Sequence, residues 1–232
     1  MLHTERKDNM KIQDTKIGCL YDLSHTMAAE LLSRYEFPWE VLPHIKSYIL
    51  ELGATLSKEE YEMRGDHVWV HKTAEVFPSA YLGKNVIVGP NAQVRHCAFV
   101  RENAIIGAGA VVGNSTELKN VILFDSVEVP HYNYVGDSIL GYKAHMGAGS
   151  ITSNVRADKS LVKIHAEDGE IETGRKKVGA MLGDFAEIGC GSVLNPGVVI
   201  GRHSNVYPLS SVRACVTENS IYKKQGEIAG KY

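Results

Sequence analysis

From Val70 onward an aliphatic residue returns at every sixth position: Val70, Val76, Leu82, Val88, Val94, Val100, Ile106, Val112, Leu118 and Phe124. Small residues sit four places beyond many of them (Ala74, Ala80, Ala92, Ala98, Ala104, Ala110, Thr116), and Gly83, Gly89, Gly107 and Gly113 follow the beat directly. A period of six matches neither a helix nor plain strand alternation. It fits a short strand followed by a tight turn, with three hexads closing one triangular coil of about eighteen residues. Aliphatic side chains then stack inside a prism, small ones fit its corners, and glycine supplies turn dihedrals that a Cβ would penalise. At "VPHYNYVGD", residues 129–137, the beat meets Pro130 and a His-Tyr-Asn-Tyr cluster. It resumes in a new phase at Leu140 and Met146, and again at Leu182, Ile188, Leu194, Ile200, Val206 and Val212.

The pattern predicts an all-β solenoid over residues 66–217, preceded by a tail and small helical region (1–65) and followed by a cap or tail (218–232). Residues 1 to about 17 are polar and expected to be loosely attached. In "SHTMAAELLSRYEF" the residues Ala28, Leu31, Leu32 and Tyr35 share a helical face, with Ser24 or Thr26 as N-cap. After Pro38, Val41, Ile45, Tyr48, Ile49 and Leu52 recur at helical spacing and Gly53 ends the pattern. Such a pair is too small to hold a core alone, so it packs against the body or a neighbouring subunit. One excursion is expected at residues 155–179, with "LVKIHA", "DG" and "EIETG" forming a two-strand ribbon. It either covers a site, reaches a neighbour, or decorates the surface.

Composition narrows the function classes. A net charge of -2, from 25 basic and 27 acidic residues, gives no bulk electrostatic case for a nucleic-acid partner. No apolar run approaches the ~20 residues that cross a bilayer, and the N-terminus lacks the apolar core of a secretion signal. Cys19, Cys97, Cys190 and Cys215 show neither a CxxC pair nor a zinc spacing. A reduced cytoplasmic protein without a metal site or membrane partner is the expectation.

Candidate chemistry gathers where the beat lapses. His131 is a side chain able to accept a proton from an attacking amine near neutral pH; it is equally a surface histidine in a coil adjustment. Arg101 and Lys119 are eighteen residues apart, so they are expected to stack on one outer edge. There arginine would act as a fork and lysine as a point charge toward phosphate. Solvated surface charge accounts for both as well.

The runs "LGKNVIVGPNAQV", "IIGAGAVVG" and "IGCGSVLNPGVVIG" resemble the hexapeptide-repeat left-handed parallel β-helix family, over residues about 68 to 217. That resemblance implies the left hand, a homotrimer with sites between prisms, and acyl transfer from a coenzyme A thioester. "RENAIIGAGAVVGNSTELKNV" and "VPHYNYVGDSILGYKAHMGAGSITSN" are similar to the acetyltransferase half of the bacterial bifunctional enzymes that make UDP-N-acetylglucosamine. By that resemblance His131 matches the general base toward the amino group of glucosamine 1-phosphate. Arg101 and Lys119 match sugar-phosphate ligands, Tyr134 a substrate contact, and Asn154 another sugar-phosphate ligand.

Three departures stand beside the match. His145 takes the place of an acceptor-binding asparagine, Val155 that of a tyrosine, and the excursion replaces a lysine-bearing loop without aligning Lys159 or Lys163. No Gly-rich phosphate loop precedes the solenoid, so nucleotidyl transfer is not expected. The reading implied is acetyl-CoA-dependent N-acetylation of an amino-sugar phosphate or nucleotide-linked amino sugar. The alternative is a noncatalytic sugar-nucleotide or sugar-phosphate binding or regulatory module.

Overall fold

The computed structural model describes residues 10–224 and 227–230. From Val68 the chain winds as a left-handed parallel β-helix whose three faces carry three inward columns. The first face stacks Val70, Val88, Ile106, Leu123, Leu140, Leu182 and Ile200. The second stacks Val76, Val94, Val112, Val129, Met146, Ile188 and Val206. The third stacks Leu82, Val100, Leu118, Val135, Thr152, Leu194 and Val212.

The hexad count is corrected in one respect. Val100 pairs with Leu118, but Glu102 pairs with Lys119 and Ile106 with Leu123 rather than Phe124. One residue is therefore missing at the corner after Leu118, and a second after Val135, where Leu140 follows five positions on. The phase changes at Lys119 and again at Gly136, not at Pro130. Residues 129–135 form a regular six-residue step with Val129 and Val135 both inward and fully buried. Pro130 fits because it stacks on Gly113, where any Cβ would collide with the Pro130 carbonyl.

The first face is sealed on its outside as well. Trp69, Ile87, Ile105, Ile122, Ile139, Met181 and Val199 point outward in register, yet all are buried. Burial of each such side chain is worth about 1.5–3 kcal/mol. The cover is the helical region of the same chain. The helix Ile45–Thr55 packs on the strands Tyr81–Val88, Phe99–Ile106 and Glu117–Leu123. The Tyr21 ring lies 5.1 Å from Phe124 at a 36° tilt, and its hydroxyl donates to the Ile139 carbonyl at 3.4 Å. Gly53 lies inside this helix rather than ending it, and its lack of a side chain lets the helix approach the Trp69 ring, which a Cβ would meet at 2.5 Å. The earlier helix is one turn, Ala29–Leu32, with Thr26 Oγ1 accepting the Ala28 N–H. The expected loose tail is packed from Met10 on, since Met10 and Ile17 are buried.

The corner between the third and first faces is a column of short polar residues, Asn85, Asn103, Asn120 and Asp137. All have left-handed φ, at 54°, 53°, 56° and 49°, a region Asn and Asp enter more readily than other non-glycine residues. Their side chains bond along the column: Asn85 Nδ2 donates to Asn103 Oδ1 at 2.9 Å and Asn120 Nδ2 to Asp137 Oδ1 at 3.0 Å.

The excursion leaves from this same corner. It departs at Val155 and returns at Lys177, the two joined by an antiparallel bridge. The expected ribbon is present as Lys163–Ala166 paired with Gly169–Glu172. It lies back on its own chain, with Glu167 N–H donating to the Met10 carbonyl and Ile12 N–H to Asp168 Oδ1. At the far end Ser220–Lys224 pairs antiparallel with Glu227–Gly230. Among the described residues no helix is long and apolar enough to cross a membrane.

Candidate functional site

The corner column is where the expected phosphate ligands fall. Lys119 Nζ lies 3.1 and 3.3 Å from the two oxygens of Asp137. Asn154 Nδ2 donates to Asp137 Oδ2 at 2.6 Å and to the Tyr134 hydroxyl at 3.2 Å. Lys119, Tyr134 and Asn154 thus meet around one carboxylate that is only 3% exposed. Burial raises the Tyr134 phenol above its ordinary pKa, and the Asp137 and Glu117 carboxylates add to the shift against the Asn154 bond. Asp137 is not among the candidate site residues the sequence singles out; only the corner geometry places its carboxylate between Lys119, Asn120 and Asn154.

Arg101 sits one step aside. The eighteen-residue spacing placed it directly over Lys119, but the missing residue puts Glu102 there instead. Its Nη1 donates to Glu117 Oε1 at 2.9 Å, and Glu117 is the ladder neighbour of Tyr134. Both expected phosphate cations therefore already hold a carboxylate.

His131 ends the strand Glu128–His131 and is exposed. Its backbone N–H donates to Asn133 Oδ1 at 3.1 Å, and among the described residues its ring makes no hydrogen bond or ion pair. A prism corner at Tyr132, with φ of 52°, separates it from the third-face strand that begins at Tyr134. His131 and the Asp137 cluster therefore flank the third face from opposite corners. Asn133 between them is structural: buried, it donates to the Gly147 and Ser150 carbonyls at 2.9 and 3.1 Å. His145 is elsewhere. It projects from the second face, where Nδ1 donates to Glu187 Oε2 at 3.0 Å, beside Cys190 and Tyr207 in a groove of about 480 Å³. The structure does not bring it to Lys119.

Of the excursion lysines, Lys163 pairs with Glu170 and Glu172 within the ribbon at 3.2 and 3.4 Å. The cations that reach Lys119 are instead Arg175, Lys176 and Lys177, where the excursion returns, with Lys46 opposite from the helix. The sequence signal for them is the basic run "GRKKVG" at residues 174–179. A separate cleft of about 550 Å³ opens lower on the third face beside Arg156, His165, Asn195 and Arg213.

A family described as "GMPPB C-terminal domain" matches residues 90–174. The bifunctional sugar-1-phosphate nucleotidylyltransferase/acetyltransferase of Sulfurisphaera tokodaii is 33% identical over 112 residues, 48% of this chain and 28% of that protein. The bifunctional protein GlmU of Methanococcus maripaludis (strain S2) is 37% identical over 114 residues, 49% of this chain and 28% of its own length. The match thus spans about half of this chain and little more than a quarter of these relatives. A perosamine N-acetyltransferase of Caulobacter crescentus, solved with CoA and GDP-perosamine, is 22% identical with a TM-score of 0.30, covering 70% of this chain and 56% of that one. That likeness is too loose to bear on function. The chain carries a hexapeptide-repeat β-solenoid that is similar, over about half its length, to part of these bifunctional proteins.

Proposed function

We propose that this protein transfers an acetyl group from acetyl-CoA to the amine of a phosphorylated or nucleotide-linked amino sugar. The observation that carries the reading is His131, exposed and with no ring partner among the described residues, at one edge of a face whose other edge holds the cluster of Lys119, Asn154 and the Tyr134 hydroxyl. The sequence kinship with bifunctional nucleotidylyltransferase/acetyltransferases supports it.

The acceptor's phosphate lies toward Lys119, and Arg101 joins it by turning from Glu117, an exchange of partners between solvated groups that costs little. The acceptor amine attacks the thioester carbonyl carbon and forms the N–C bond. His131 takes the proton that the nitrogen sheds. Collapse of the tetrahedral oxyanion breaks the C–S bond, and the proton passes from His131 to the departing sulfur, giving an amide and free coenzyme A. Assembly as a homotrimer belongs to the proposal. Tyr132 and Leu209 support it, standing 65% and 86% exposed at left-handed φ on one corner of the prism. Light scattering tests it by the expected threefold multiple of the 25.5 kDa chain mass.

The test of the chemistry is thiol release from acetyl-CoA against amino-sugar phosphates and nucleotide-linked amino sugars. His131→Ala is expected to lower turnover about 10²–10⁴-fold while the acceptor still binds. Equal turnover in the variant overturns the role of His131. A second reading, a noncatalytic sugar-nucleotide or sugar-phosphate binding module, is favoured by one observation. His145, which stands where the resembled enzymes have an acceptor-binding asparagine, pairs with Glu187 on the second face instead of joining the Lys119 cluster. Tight binding of a sugar nucleotide without any acyl transfer across the panel selects it.

A further inference from the structure

Three segments distant in sequence meet over the Asn120–Asp137 corner and enclose a cleft of about 570 Å³. The helix supplies Lys46, the solenoid Lys119 and Asp137, and the returning excursion Arg175, Lys176 and Lys177. Five cationic side chains thus line the cleft against one carboxylate, and that carboxylate is taken up by Lys119, Asn120 and Asn154. Among the described residues Lys46, Arg175, Lys176 and Lys177 form no ion pair. Arg175 also has a buried Nε that no acceptor satisfies. Burying a charged donor without a partner is costly, and drawing like charges together from three elements is costly again. Gly174, with φ of 66° and nothing near where its Cβ would be, turns the chain into this cleft while leaving its mouth open.

We infer that this cleft is a binding site for the diphosphate group of a nucleotide. The cations stand on separate walls, which suits an anion with two phosphoryl groups better than one. Arginine offers a planar fork to one phosphoryl group, and the lysines add mobile charge to the other. The site shares Lys119 with the proposed acceptor site, and rests on that reading only for the identity of the group that is acylated. The bound nucleotide is either the carrier of the amino sugar or the adenosine diphosphate portion of coenzyme A; the cleft recognises the anhydride common to both.

The experiment is calorimetric titration of the full chain with inorganic pyrophosphate and with orthophosphate at fixed ionic strength. Pyrophosphate is expected to bind about tenfold tighter or better, weakening as salt rises. Arg175→Ala with Lys177→Ala is expected to weaken it at least about tenfold. Lys46→Ala, on the exposed side of a helix, is expected to weaken it severalfold and guards against a folding defect in the double variant. Arg175→Lys keeps the charge but removes the fork, and is expected to recover only part of the loss. Pyrophosphate binding no tighter than orthophosphate, or unchanged in the double variant and in Lys46→Ala, overturns the proposal. Competition then assigns the source: displacement by UDP or GDP points to a nucleotide-linked acceptor, and by coenzyme A to the donor. Displacement by none of them overturns the nucleotide assignment. The same titration on His131→Ala separates the two readings, since pyrophosphate binding there is expected to be intact whether or not acyl transfer occurs.

Discussion

Replacing Asp137 with alanine probes the corner column most directly. The carboxylate is 3% exposed and accepts from Lys119 at 3.1 Å, Asn120 at 3.0 Å and Asn154 at 2.6 Å. Its loss does not strand the two amides completely, because Asn120 Nδ2 still reaches the Leu42 carbonyl and Asn154 Nδ2 the Tyr134 hydroxyl. The ammonium of Lys119 is left unpaired. Breaking a buried ion pair from one side costs about 3–5 kcal/mol. The Lys119 side chain keeps 19% exposure and so some access to water, which places the cost near the lower end, about 3 kcal/mol. For a chain of this length that is a fall in Tm of roughly 6–12 °C. Urea unfolding followed by far-UV circular dichroism reads it, with Lys119→Met completing a double-mutant cycle. The double variant is expected to recover at least about 1 kcal/mol relative to the sum of the singles, since no unpaired charge remains. A loss below about 1 kcal/mol in Asp137→Ala, or strict additivity in the cycle, refutes the argument that the carboxylate holds Lys119.

Three further outcomes follow from other parts of the fold. Gly53→Ala forces a Cβ to within 2.5 Å of the rigid Trp69 ring; overpacking of about 1–3 kcal/mol is expected to outweigh the gain in helix propensity, with a shift in tryptophan emission beside the urea midpoint. Burial pushes the Cys215 thiol up to about 12, so Ellman's reagent at pH 8 is expected to titrate Cys19, Cys97 and Cys190 in the folded protein and Cys215 only after denaturation. Burial also raises the Asp184 carboxyl above its ordinary value of 3.8, against bonds from the Asp22 and Tyr142 N–H groups and the charge of Arg202. The folded state therefore holds this proton more tightly than the unfolded chain, and stability from this group falls as pH rises from 3.8 through the raised value. Asp184→Asn loses the Arg202 pair at all pH, but its stability relative to the parent is expected to improve over that interval; a pH-independent difference contradicts the assignment.

The solenoid was legible because its period is set by coil geometry, which each inward aliphatic must obey. The two five-residue steps were not, because "VILF" at residues 121–124 offers a buried residue at either count. Phe124 is buried at the corner while Leu123 takes the column. The sealed first face did leave a signal: an apolar residue just before the beat in every third hexad, at Trp69, Ile87, Ile105 and Ile122. A face open to water would carry polar residues there, so this column answers whether the helices pack on their own body. Lys119, Tyr134 and Asn154 could be singled out along the chain, but Asp137 joins them only through the corner geometry. Arg175 and Lys46 were invisible as a pair because 129 positions separate them and only the folded excursion brings them together.

The bridge between Val155 and Lys177 has an architectural consequence. Because the excursion closes on itself at its neck, the ladder beneath runs on from Ile151 and Thr152 to Val193 and Leu194 as though nothing intervened. A segment attached in this way can lengthen or shorten around its packed residues Val162 and Ile164 without interrupting the ladder beneath it. The loop that lines the corner is thereby set apart from the ladder that carries it, and its outer residues can vary while the rungs of the prism keep their register.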